Sequence, residues 1–108
     1  LAIAPGRSVL GFAKQSLEQI TVPIHIIGGD ADVIAPAAEC CSWLRENVQT
    51  SSLDILKGGV GHYAFLPEPT PQGLRAAPDV FTDVEGLVRE HVHDHVAQIA
   101  ISFFSAAT

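Results

Sequence analysis
Apolar residues fall along this chain in short clusters separated by Gly, Pro and charged positions, and the spacing within each cluster predicts its element. Leu1 to Ala4 is an apolar run stopped by Pro5-Gly6, the pattern of a buried strand ending in a loop. Phe12 to Gln19 can form a short helix before Val22-Pro23. The run Ile24-His25-Ile26-Ile27, rich in β-branched residues and closed by Gly28-Gly29-Asp30, predicts a strand buried on both faces. Pro36-Ala37-Ala38-Glu39 reads as a helix start, because Pro fits the first turn and an acidic side chain suits the positive end of the dipole; this helix should run to about Asn47. Ser52 to Leu56 alternates as a further strand, ended by Lys57-Gly58-Gly59-Val60-Gly61. Pro67 to Pro78 reads as an irregular surface excursion. From about Asp83 to Phe104, Val84, Val88, Val92, Val96, Ile99 and Phe103 share one helical face opposite Glu90 and Asp94, which predicts a long amphipathic helix lying against a sheet. Strands alternating with helices across short loops imply a parallel α/β layer.

Composition narrows the class. The 108 residues are 47% hydrophobic and 17% charged, with 12 acidic and 6 basic side chains and a formal charge of -6. A chain of this size hides roughly 65% of its unfolded surface, enough for one core, so residues 1–108 are read as a single domain. Six scattered basic residues among twelve acidic ones argue against a nucleic acid or an anionic membrane as partner. No apolar run reaches the roughly 18 residues of a membrane span. Cys40 and Cys41 are adjacent and lack a distant partner, which suits reduced thiols and a cytoplasmic setting. The absence of Met and the abrupt start at Leu1 suggest a cut through a longer protein.

The residues most suggestive of chemistry are an acid after one strand and a His after the next: Asp32 in Gly29-Asp30-Ala31-Asp32-Val33-Ile34-Ala35-Pro36, and His62 in Gly59-Val60-Gly61-His62-Tyr63-Ala64-Phe65. Successive strands of a parallel sheet end on the same edge, where α/β proteins bind ligands, so the two can meet across 30 positions. A neutral imidazole accepts a proton near neutral pH, and a carboxylate on its other nitrogen fixes the tautomer and stabilises the imidazolium. His62 would be the base and Asp32 its orienter, with the glycines before His62 letting the backbone turn sharply. Asp30 is the rival acid, better suited to serving a turn through its side-chain oxygen. Tyr63 and Phe65 could line a pocket or pack beneath the final helix.

These two segments resemble the C-terminal half of α/β-hydrolases, especially the dienelactone hydrolase-like branch. Asp32 matches the family's acid, in an Asp-x-x-x-Pro setting after the penultimate core strand, and His62 matches the His after the last strand. Arg89, His93 and Phe103-Phe104 look like the final helix of that branch. The resemblance implies a partial α/β-hydrolase fold, three-layered αβα, made of the last parallel strands, acid loop, His loop and C-terminal helix. It also implies hydrolysis of ester or lactone carbonyls by a triad of nucleophile, acid and His through an acyl-enzyme.

One part of that triad is missing from the sequence. A nucleophile elbow needs Gly-x-Ser-x-Gly, or Cys for Ser, and no such segment occurs. In Gly6-Arg7-Ser8-Val9-Leu10-Gly11 the second Gly comes one position late, so Ser8 reads as a loop serine or a helix cap. Cys40 and Cys41 follow the acid and sit inside a helix, as structural thiols would. The Ser or Cys nucleophile is therefore expected on missing sequence or on a companion polypeptide, and the expected partners are a homo-oligomer or a companion polypeptide that carries the rest of the fold. The alternative is an inactive hydrolase-fold module for binding or assembly through an open strand edge.

Cofactor signals are absent from the sequence. Gly58-Gly59-Val60-Gly61 is too short for a phosphate loop, and Gly28-Gly29 does not continue as a dinucleotide fingerprint. His91 and His95 lie four apart on one side of a helix and could share a metal, but His93 turns away and no further ligand is visible, so no metal is expected.

Overall fold
A computed structural model describes residues 1–107. Its framework is a parallel sheet of three strands in the order β1-β2-β3: β1 (Ala2–Ile3), β2 (Ile24–Gly29) and β3 (Ser51–Leu56). Central β2 sets Ala2 against Ile26 on one side, and on the other it runs in step with β3 from Ile24↔Ser51 to Gly29↔Leu56. The chain is an α/β fold, as the alternation of elements predicts.

Strand periodicity explains why β2 is apolar nearly throughout. Ile26 and Ile27 are both fully buried but face opposite ways. Ile26 packs with Val9, Leu17, Cys40, Cys41 and Leu44 beneath two helices, α1 (Lys14–Glu18) and α2 (Cys40–Asn47). Ile27 packs with Leu56, Val60, Ala64 and Val92 on the other face, under the long helix that closes the chain. Each such isoleucine contributes about 1.5–3 kcal/mol through burial.

The structure corrects three expectations. The final helix begins at Arg89, not Asp83, and runs to Ala107; it follows two short helices and is labelled α5. Gly86 at φ +89 takes the left-handed conformation that interrupts a right-handed helix, and Val84 and Val88 stay 51% and 43% exposed outside the packed face. Val92 is buried and Val96 and Ile99 pack beside it, as predicted. The excursion from Pro67 to Pro78 contains α3 (Pro71–Ala76), and α4 (Pro78–Phe81) starts at its end. Pro71 and Pro78 sit in the first turns of these helices, where a missing N–H costs nothing, and the Thr70 hydroxyl accepts from Gly73 N–H at 3.0 Å to cap α3. Pro36 likewise leads into α2, but a turn over 37–39 precedes the helix proper. Among the described residues no helix is long and apolar enough to cross a membrane.

At its C-terminal end β2 approaches the loop after β3 so closely that only glycine fits. A Cβ on Gly29 would stand 2.1 Å from the Val60 carbonyl oxygen, which is backbone and cannot swing aside. Gly29→Ala is expected to lower stability by about 1–3 kcal/mol in urea unfolding. Gly6→Ala, at a position with open space around it, meets no such clash.

Candidate active site
Two loops leave the same edge of the sheet, one after β2 and one after β3, and Asp30 ties them together. Its carboxylate accepts from Gly58 N–H at 3.0 Å, Gly59 N–H at 3.0 Å and Val60 N–H at 2.8 Å. Asp30 therefore serves a turn, as expected of the rival acid, but the turn belongs to the next strand. Gly58 and Gly59, at φ +102 and +90, supply the left-handed backbone that aims these N–H groups at one side chain. The Val60 N–H bond does most to hold the Asp30 carboxyl below its ordinary 3.8; partial burial opposes it, and the two glycine N–H groups and Lys57 add to it.

With the loops fixed, Asp32 and His62 meet. Asp32 Oδ2 lies 2.7 Å from His62 Nδ1, with the acid side chain 1% exposed and the imidazole 21% exposed. The other acid oxygen accepts from the N–H groups of Ile34 at 3.0 Å and Ala35 at 2.7 Å, so the acid loop itself clamps the carboxylate. An ionised carboxylate can only accept, so His62 Nδ1 carries the proton and Nε2 presents a lone pair. No hydrogen bond engages Nε2 among the described residues. The pair is thus built as a general base whose orientation is set from behind.

The imidazole stands in a cleft of about 210 Å³. Tyr63 meets the ring edge-on at 5.2 Å and lines the cleft, whereas Phe65 packs into the core beneath α5, so the two aromatic residues divide between the roles foreseen for them. The far wall comes from α4 and the segment after it, through Asp79, Val80, Asp83 and Val84. That wall is anchored by Arg89, the first residue of α5, which is almost wholly buried. Arg89 pairs with both oxygens of Asp83 at 2.7 and 3.0 Å, donates to the carbonyls of Val80 at 2.7 Å and Pro67 at 3.3 Å, and lies over the Phe81 ring. The sequence pattern gives no sign of this anchor, because an Arg at a helix start is usually solvated and half of its hydrogen bonds go to backbone carbonyls. His93 braces the His loop from α5, with its Nε2–H shared between the carbonyls of Ala64 at 3.1 Å and Leu66 at 2.9 Å.

No family model and no solved structure matches the chain. The mesoderm-specific transcript homolog protein of Homo sapiens is 33% identical over 54 residues, half of this chain. The chain spans 16% of the length of that protein.

The remaining candidates lie elsewhere. Ser8 is exposed in the 3-10 turn Arg7–Gly11 and does not line the cleft. Cys40 and Cys41 are free and buried under β2, where a Cβ on Gly28 would come within 2.8 Å of Cys41 Sγ. Burial pushes the Cys41 thiol up to about 11 and also raises Cys40, so both stay protonated and weakly nucleophilic at neutral pH. His93 is spent on carbonyls, and among the described residues no three His, Cys, Asp or Glu side chains gather as a metal site.

Asp30 also sets an acid limit on the fold. Because folding lowers its carboxyl below the unfolded value, the stability it contributes is complete above the ordinary 3.8 and is lost as pH falls through the lowered folded value. Asp30→Asn should therefore melt at a lower temperature than wild type at pH 7, and the gap should narrow in melts below about pH 3.8.

Proposed function
We propose that Asp32 and His62 are the acid and the base of a nucleophile-acid-His triad that hydrolyses ester or lactone carbonyls, with the Ser or Cys nucleophile supplied from outside these residues. The observation that carries this reading is the 2.7 Å contact between a fully buried carboxylate and Nδ1 of an imidazole that lines a cleft. The resemblance of the acid and His loops to α/β-hydrolases, and their exit from one edge of a parallel sheet, support it. His62 Nε2 would take the proton of the attacking hydroxyl or thiol and return it to the leaving alkoxide, while Asp32 stabilises the imidazolium between the two transfers. The carboxylates lining the cleft are Asp79 and Asp83, the latter already paired with Arg89, which favours a neutral substrate over an anionic one. The free thiols of Cys40 and Cys41 suit a cytoplasmic setting.

A second reading draws on β1. Its outer edge has no partner strand among the described residues, and Leu1 and Ile3 lie exposed beside it, each at 41%. A strand from a companion polypeptide could pair there and deliver the nucleophile that the hydrolase reading needs, whereas pairing with a second copy would serve a purely assembling module.

Activity separates the two readings. In the assembly that carries the nucleophile, a fluorophosphonate probe should label a residue of the longer or second polypeptide. His62→Ala and Asp32→Asn should each slow labelling of that residue by about 10²–10⁴-fold while the assembly persists in size-exclusion chromatography. Labelling of that residue at an unchanged rate in both variants would reject the hydrolase reading in favour of the assembly module.

A further inference from the structure
At the opposite end of the sheet, three polar side chains form a hydrogen-bonded row. His25 and Ser52 are the second residues of β2 and β3 and pair directly across the sheet; Asp54, two positions further along β3, shares the face of Ser52. His25 Nδ1 lies 2.5 Å from Ser52 Oγ, and His25 Nε2 lies 2.8 Å from Asp54 Oδ2. The carboxylate can only accept, so Nε2 carries the ring proton and Nδ1 accepts from the Ser52 hydroxyl. A hydroxyl donating to a neutral imidazole, which donates to a carboxylate, is the arrangement that activates a serine.

The surroundings suit a ligand. The row opens into a hollow of about 520 Å³ between β3 and the C-terminal half of α5, within the size range of small-molecule sites. Ile99 and Phe103 give it an apolar wall, and the Phe103 ring stands 5.9 Å from that of His25, which is itself 11% exposed. Gln98 and Ser102 bring an amide and a hydroxyl donor to the same hollow. The sequence does carry a sign of the row, since Ser52 and Asp54 are polar at alternate positions of a strand. Its meaning appears only when the parallel register sets His25 beside them.

We propose that Ser52 is a nucleophile activated by His25 and oriented by Asp54, and that the hollow takes small neutral esters with an apolar acyl group. Ser52 Oγ bonds to the carbonyl carbon as its proton passes to His25 Nδ1, and the developing oxyanion draws on the donors of α5. The adduct then breaks its bond to the alkoxide oxygen, and the alcohol departs with that proton. Water adds to the acyl carbon and gives a proton to His25; Ser52 Oγ leaves, regains that proton and frees the carboxylic acid. None of these residues touches Asp32 or His62, so the two sites stand or fall separately.

The test treats the folded 108-residue chain with a small alkyl fluorophosphonate and locates the adduct by peptide mass spectrometry. Attack forms a bond from Ser52 Oγ to phosphorus and expels fluoride, with the hydroxyl proton taken by His25. The expected result is one adduct, on Ser52, that is absent from Ser52→Ala, unchanged in Ser8→Ala and formed about a hundredfold more slowly in His25→Gln. Asp54→Asn, at a half-exposed position that should tolerate the change, is the second variant and should also slow labelling; circular dichroism checks the fold of each. A folded wild-type chain with no adduct on Ser52 would overturn the proposal, as would labelling at an equal rate in folded His25→Gln or Asp54→Asn.

Discussion
The pairing of Gly29 with Leu56 in the parallel register of β2 and β3 decides where every side chain of the Asp32–His62 site can be. Because the two strands run the same way, their loops leave one edge, and the bare backbone of Gly29 lets the second loop come close enough for Asp30 to hold three of its N–H groups. The Asp32–His62 contact follows from that closure, since Asp32 is locked by its own loop and His62 sits two residues beyond the last N–H that Asp30 holds. Removing the clamp would release the His loop without touching either member of the pair.

Local pattern made some of this legible and left other parts hidden. The buried strand at Ile24 to Ile27, the second strand and the meeting of Asp32 with His62 could be read because β-branched runs, glycine stops and parallel topology are rules of short range plus one rule of direction. The start of the last helix could not, because Val84 and Val88 continue the apolar spacing past Gly86, and spacing cannot tell which valines find a core. The helices at Pro71 and Pro78 are hidden because a proline-rich stretch has the composition of an irregular surface loop, although each of these prolines is a first-turn residue. The Arg89 anchor stays hidden for a third reason: the carbonyls among its partners carry no residue-type signal; the His25 row shows in sequence only as polar alternation, because His25 lies 27 and 29 positions from its partners.

The two His-carboxylate contacts sit at opposite ends of one parallel sheet and differ in their setting. Asp32 is 1% exposed and held by two backbone N–H groups, whereas Asp54 is 51% exposed, so solvent screens the second pair far more than the first. His62 lines its cleft with an Nε2 that no hydrogen bond engages among the described residues; His25 already holds a serine hydroxyl. The first arrangement fits a base awaiting a partner, and the second fits a self-contained but more weakly oriented one. Both depend on the same register, because a one-residue slip would set His25 on the face opposite Ser52 and Asp54 and part Asp30 from the loop it holds.

The hydrolase reading of the site rests on Asp32 fixing the tautomer of His62 so that Nε2 is the free base. Nitrogen-15 NMR of the imidazole, recorded at about pH 8.5 where free imidazole is neutral, reads that tautomer directly. The wild-type chain is expected to carry a protonated Nδ1 and a bare Nε2, with that preference lost in Asp32→Asn. A proton on Nε2 in the wild type, or the same tautomer in both proteins, would contradict it.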